Sequence, residues 1–219
     1  MRFRNRAHAG QLLAASLIED YKDKPDLMVL ALPRGGVPVA AEVAKVLHAP
    51  LDVWIVRKLG VPGHSEMAMG AIASGNVRVM NQALVHELNI SDSEIQQIVA
   101  RESLELERRE DLYRDNRPYP ELTGKTVMLV DDGLATGATM AAAVAAVRQN
   151  SPRKVVVAVP VAAHEACAEF HDIVDNTICL YMPHHFRAVG AWYEQFLQTT
   201  DAEVRALLEK ANTRILEQA

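Results

Sequence analysis

Val127-Met-Leu-Val-Asp131-Asp132-Gly133-Leu134-Ala135-Thr136-Gly137-Ala138-Thr139-Met140 is the stretch on which the fold turns. Apolar residues suited to a strand run straight into two carboxylates, then a bend of small residues, then an Ala-rich segment of helical composition. Such a bend can aim consecutive backbone N–H groups at one point, and the positive end of the following helix dipole adds to the field there. Thr136 and Thr139 bring hydroxyl donors to the same bend. Asp131 and Asp132 would repel an anion placed beside them, yet they suit vicinal hydroxyls a few ångströms away. Acids before the bend and donors within it together describe one ligand, a ribose carrying a 5′-phosphate. A bare Asx turn followed by a positive-φ glycine is the plainer reading of these residues. The complete order of strand, acids, loop and helix favours the ligand. No Lys follows Gly137, so this is not a Walker A loop, and the spacing is not G-x-G-x-x-G either.

On either side of this stretch, short β-rich runs alternate with helical patterns. Leu27 to Leu32, Val53 to Val56, Val127 to Val130, Val155 to Val159 and Ile178 to Tyr181 predict strands. Val37 to Leu47, Thr139 to Val147 and Ala163 to Phe170 predict the helices between them. That alternation implies an α/β fold, a mostly parallel twisted sheet flanked by helices, with ligands bound beyond the carboxyl ends of the strands. One segment interrupts it, from Asn81 to Pro120. Ser91 with Glu94 has capping-box spacing, and Glu105 with Arg109 and Glu110 with Arg114 form i,i+4 pairs on a long charged helix. It is either a solvated surface helix or a lid over the site. Asp201 to Ala219 predicts one more amphipathic helix.

The chain has 219 residues, 49% hydrophobic and 23% charged, the balance of a globular protein with one core, so residues 1–219 are expected to form a single domain. A formal charge of −5 argues against nucleic acid as a partner, because phosphate-backbone binding needs clustered Lys and Arg in excess. No apolar run approaches a membrane span and the N-terminal residues lack the apolar region of a signal peptide, so neither membrane nor secretion is expected. Cys167 and Cys179 lie in no zinc or redox spacing, which fits a reduced, cytoplasmic setting. His164, His171, His184 and His185 show no metal-ligand spacing.

Val130-Asp-Asp-Gly-Leu-Ala-Thr-Gly-Ala-Thr139 resembles the phosphoribosyl-pyrophosphate signature of type I phosphoribosyltransferases. Pro33-Arg34-Gly35-Gly36 is similar to that family's pyrophosphate loop. Bottom-up it offers bare amides beside a guanidinium suited to bidentate phosphate contact. Arg57-Lys58 is similar to the family's basic pair, and Arg57 to Glu66 follows an R-K-x-G-x-P-G-H/N-x-E segment shared by a group of predicted bacterial members. The resemblance implies a phosphoribosyltransferase that moves phosphoribose from phosphoribosyl pyrophosphate to a ring nitrogen of a nucleobase. It assigns Asp131, Asp132, Arg34, Lys58 and Glu66 to the chemistry. Gly35, Gly36, Ala135, Thr136, Gly137, Ala138, Thr139 and Phe186 would bind substrate. It also implies Mg²⁺, carried by the substrate and oriented through water by Asp131 and Asp132.

In that frame, the aromatic cluster from Phe186 to Tyr193 would belong to a hood over residues 181–219, with Phe186 stacking on the base; the same rings could simply pack a small subdomain. Ala135 stands where the 6-oxopurine enzymes usually carry Asp, and Leu-Ala-Thr-Gly is nearer to the adenine enzymes. A purine-like base is the first expectation. The alternatives are a sensor that binds the sugar phosphate or a nucleotide without turning it over, and a hydrolase acting on a phosphorylated ribose. A homodimer is compatible with all three.

Overall fold

The computed structural model describes residues 2–115 and 117–218. Five parallel strands form the main sheet: β1 (Leu27–Ala31), β2 (Leu51–Val53), β6 (Thr126–Val130), β7 (Lys154–Val161) and β8 (Asn176–Tyr181), in the order β2-β1-β6-β7-β8. All five residues of β6 are buried, as expected for a strand covered on both faces. Their side chains alternate: Val127 and Leu129 face a core shared with α5 (Ala138–Arg148) and α6 (His164–Phe170), while Met128 and Val130 face α1 (Arg6–Tyr21), α2 (Gly36–Leu47) and α7 (Asp201–Gln218). Each fully buried Val or Leu stabilises the fold by about 1.5–3 kcal/mol relative to exposure.

The chain runs from β1 outward to β2, then returns to place β6 on the opposite side of β1. Strand order therefore reverses between β1 and β6, which is where doubly wound sheets open a crevice for ligands. The register pairs Ala31 with Val130, and the Leu32 amide donates to the Val130 carbonyl at 2.9 Å, so the loops that follow the two strands leave the sheet side by side.

Residues 53–56 do not make the single strand expected of them. β2 ends at Val53, the chain turns at buried Trp54 and Ile55, and β3 (Val56–Val61) starts a separate antiparallel sheet with β4 (His64–Ala73) and β5 (Val77–Met80). The Trp54 amide donates to Ala31 O at 2.9 Å and the Ile55 amide to Ser74 Oγ at 3.0 Å, which fixes the corner between the sheets. No element was expected over β4 and β5: Ala68, Gly70, Ala71 and Ala73 give β4 little β-branched signal, and β5 is only four residues long.

After α3 (Gln82–Glu87), the long helix α4 (Asp92–Arg114) carries the expected capping box, and Glu105 pairs with Arg109 at 2.7 Å. Glu110 and Arg114 do not pair as expected. Glu110 accepts from the Tyr119 hydroxyl, and Arg114, almost wholly buried, pairs with Asp52 of β2 at 3.0 Å and lies over the Tyr119 ring. Ile95, Leu106 and Tyr113 are buried as well, so α4 lays one face on the protein and anchors its end to the main sheet through a buried ion pair. Cys167 of α6 and Cys179 of β8 are joined in a disulfide, which their spacing did not suggest and which departs from the reduced setting expected for them. The pairing follows from α6 folding back onto the strand that comes next. Among the described residues no helix is long and apolar enough to cross a membrane.

Candidate active site

The bend after β6 is fixed at its middle. Leu134 donates to Val161 O at 2.9 Å and accepts from the Ala163 amide at 2.9 Å, which ties the bend to the end of β7. Gly137 takes φ +71°, a conformation that glycine adopts without penalty, and opens α5. A Cβ there would also stand 2.9 Å from the Phe170 ring of α6. The N-cap Gly137 of α5 offers no capping side chain, as is also true at α2 and α6, and the Thr136 hydroxyl reaches the Ala138 amide only at 3.5 Å. The first N–H groups of α5 are left to the bend, where an anion would satisfy them. Ala135, Thr136, Ala138 and Thr139 are exposed around a cavity of about 180 Å³ that is also lined by Asp131 and by Val189 of the hood.

The two carboxylates stand at the β6 end with much of their surface withdrawn from water. Burial first, and then the neighbouring charge of Asp132, push the Asp131 carboxyl well above the usual carboxylate range. The Asp132 amide, donating to Asp131 Oδ1 at 2.8 Å, opposes that shift. Asp132 is also raised by burial, against the pull of Arg6 of α1, whose Nε donates to Asp132 Oδ2 at 2.7 Å. The Asp132 carbonyl accepts from the Tyr193 hydroxyl at 2.6 Å, and burial raises that phenol's pKa. A pair of acids kept this dry has acceptor capacity that hydroxyl donors or a cation would satisfy.

The loop after β1 lies against them. A Cβ on Gly35 would meet Asp132 Oδ2 at 2.2 Å, and one on Gly36 would meet Val130 O at 2.7 Å. Both glycines are therefore required by close approach of the two loops. The Pro33–Arg34 peptide is cis. The Arg34 guanidinium lies 3.5 Å from Asp201 at the start of α7, and Asp201 in turn accepts from the Tyr113 hydroxyl of α4. Burial and that carboxylate push Tyr113 up to about 12. The end of the 81–120 insertion thus reaches the residue expected to hold pyrophosphate.

Gly35 and Gly36 lie against Asp132 and Asp131, and Asp131 shares a cavity with residues 135–139, while Arg34 stands on the same loop as the glycines with its guanidinium at Asp201. Others are placed elsewhere. The basic pair lines a larger groove of about 780 Å³ between the β3–β4 hairpin and α4, where Arg57 is held by Glu102, with Nε 2.9 Å from Oε2, and Lys58 is exposed. Glu66 lies on β4, and its side chain falls outside the described residues. Phe186 is half-buried against Phe3, Val161 and Tyr193, and Val189 is the hood residue that lines the cavity. Arg6, Tyr113 and Asp201 were not singled out from the sequence. Arg6 lies 126 residues from its partner and carried no local motif that could have flagged it.

Known proteins resemble this chain over the same regions. The family model described as phosphoribosyl transferase domain matches residues 3–180. A Mycobacterium tuberculosis protein carrying the provisional name phosphoribosyl transferase is 44% identical over 210 residues, which is 96% of this chain and 47% of the relative. The chain thus spans about half the length of the curated relatives it matches. The crystal structure of the TT1426 protein from Thermus thermophilus shares 44% identity at a TM-score of 0.86, covering 96% of this chain and 99% of that one. The AQ2163 protein from Aquifex aeolicus, at 15% identity and a TM-score of 0.50 over 84% of this chain and 78% of its own, is alike in fold.

Proposed function

The chain belongs to the phosphoribosyl transferase domain family, and from that premise we propose that it moves phosphoribose from phosphoribosyl pyrophosphate to a ring nitrogen of a purine-like base. The single observation that carries this reading is the dry carboxylate pair at the β6 end, with the α5 bend on one side and the Gly35-Gly36 loop packed on the other.

The amides of residues 135–139, with Thr136 and Thr139, hold the 5′-phosphate at the α5 terminus. Asp131 and Asp132 accept from the ribose hydroxyls. Arg34 and the amides of Gly35 and Gly36 take the pyrophosphate, and Lys58, which lines the groove beside α4, would have to swing in with the β3–β4 hairpin to add positive charge. The bond from the anomeric carbon to pyrophosphate oxygen breaks and its electron pair leaves with pyrophosphate. The base nitrogen forms the new bond and gives up its proton, for which Glu66 is the proposed acceptor. Positive charge gathers on the sugar ring in the transition state, so neutralising the leaving group matters more than sharpening the nucleophile. Phe186 would need to turn from its packed position to stack on the base, whereas Val189 already covers the cavity.

Magnesium fits this edge as a cation carried by the substrate. The two buried carboxylates favour positive charge beside them. No cluster of three or more His, Cys, Asp or Glu among the described residues is arranged to hold a metal unaided. When bound, magnesium supplies positive charge for the leaving pyrophosphate. Water must be kept from the sugar, and we assign the wall to the 81–120 insertion, which meets Arg34 through Tyr113 and Asp201.

The test is to incubate the protein with phosphoribosyl pyrophosphate, magnesium and a panel of bases while following pyrophosphate. Release that depends on one base is expected. No release with any base overturns the reading; tight binding without turnover identifies a sensor, and base-independent release identifies a hydrolase.

A further inference from the structure

We propose that Arg6 is a positioning residue of the ribose site, fixing Asp132 in the orientation that receives a sugar hydroxyl. The inference rests on the assignment of Asp132 to the ribose made above. Arg6 is the first residue of α1, directly after the Asn5 cap. Its guanidinium is held on three sides: Nε lies 2.7 Å from Asp132 Oδ2, Nη1 donates to Leu197 O at 2.6 Å, and the Phe196 ring centroid lies 3.9 Å from Cζ. The Arg6 and Asp132 side chains are only 12% and 14% exposed. An exposed pair of this kind would contribute little, but here both partners are withdrawn from water and the planar guanidinium is fixed before it meets the carboxylate.

The geometry specifies which oxygen is used. Oδ2 is committed to Arg6 and is the atom that a Cβ on Gly35 would strike, so Arg6 and the pyrophosphate loop enclose it and Oδ1 remains for a ligand. The placement of Arg6 is itself built. Residues 3 and 4 pair with the hood, with Phe3 N to Trp192 O and Glu194 N to Phe3 O both at 2.8 Å, and Gln195 N to Arg4 O at 3.0 Å. The Tyr193 hydroxyl then ties the hood to the Asp132 carbonyl. Segments far apart in sequence, the N-terminal residues, the loop after β1 and residues 193–197, thus converge on Asp132 at the β6 end.

A purely structural clasp would make the same contacts, so the test must separate the two roles. The wild-type chain, Arg6→Gln and Arg6→Lys are titrated by calorimetry in magnesium with ribose 5-phosphate and, separately, with inorganic phosphate. Both ligands use the α5 bend, but only the first uses Asp132. Arg6→Gln is expected to weaken ribose 5-phosphate about tenfold, the loss of one charge-assisted contact, while leaving phosphate unchanged. Arg6→Lys, which keeps the charge and a donor group on a shorter reach, should recover most of that loss. Unchanged ribose 5-phosphate affinity in Arg6→Gln, tighter binding in it, or an equal loss for both ligands would overturn the inference while leaving the ribose site intact. Failure of the wild-type chain to bind ribose 5-phosphate would instead overturn the site assignment, and this inference with it.

Discussion

The two ends of the parallel sheet use the same amino acid in opposite ways. At the amino end, Asp26 receives the Thr126 hydroxyl at 2.8 Å together with Arg153, and Asp175 receives the Val155 amide and Arg148, each at 2.8 Å. Hydrogen bonding from Thr126 and from the Val155 amide, respectively, is the largest cause that lowers the pKa of each acid, with the arginine adding to it. At the carboxyl end, Asp131 and Asp132 are packed against each other, and burial raises both. The acids at the amino end are satisfied by the protein and hold β6, β7 and β8 in register. Those at the carboxyl end keep acceptor capacity unused at a cost in stability, which is the pattern expected where a site awaits a ligand.

The sharpest way to break that contrast is to remove the carboxyl-end charges. Asp131→Asn with Asp132→Asn should lower affinity for phosphoribosyl pyrophosphate in magnesium by about a hundredfold, the worth of two charge-assisted contacts; thermal stability should stay level or rise in Asp131→Asn alone, whereas the double variant also takes the counter-charge from buried Arg6 and should melt lower. Calorimetry and a melting curve read both outcomes; unchanged affinity would place the pocket elsewhere. Gly35→Ala comes next. The backbone at Gly35 is ordinary helical, so the substitution adds no φ strain, only a methyl group 2.2 Å from Asp132 Oδ2. Forcing the two loops apart should lower phosphoribosyl pyrophosphate affinity by at least about tenfold. Arg34→Gln is more selective. It should weaken phosphoribosyl pyrophosphate by about tenfold and spare ribose 5-phosphate, which has no pyrophosphate for Arg34 to hold.

The parts of this arrangement that were legible in the sequence are local. Residues 127–140 carry strand, acids, bend and helix in one continuous run, and the loop after β1 announces itself by Arg34 and two glycines, so the parallel sheet and the paired loops could be inferred from the chain alone. In the antiparallel sheet β4 was missed because Ala68, Gly70, Ala71 and Ala73 leave it little β-branched signature, and β5, although it carries Val77 and Val79, is only four residues long. Glu110 and Arg114 had ideal i,i+4 spacing, yet a buried Asp52 and Tyr119 were stronger partners than a solvated neighbour. Arg6, Tyr113 and Asp201 act across 126, 88 and 167 residues respectively, distances over which a single sequence carries no pairing information. The cysteines fall in the same class, since only the return of α6 onto β8 brings them together.

The smallest effect belongs to the amino end and tests the other half of the comparison. Asp175→Asn should leave ligand affinity unchanged and lower stability by about 1 kcal/mol, a figure already reduced because the carboxylate is partly exposed. Its pH dependence has a definite sign. Hydrogen bonding from the Val155 amide and the Arg148 charge hold the folded pKa of Asp175 below its unfolded value, despite an opposing contribution from burial. The stability it contributes is therefore complete above the ordinary carboxylate range and is lost as pH falls through the folded pKa. Melting temperatures of the wild type and Asp175→Asn should accordingly differ near neutrality and converge in strong acid. A gap that instead widened on acidification would mean that Asp175 is not held as an ion by these partners, and the contrast between the two ends of the sheet would lose one of its members.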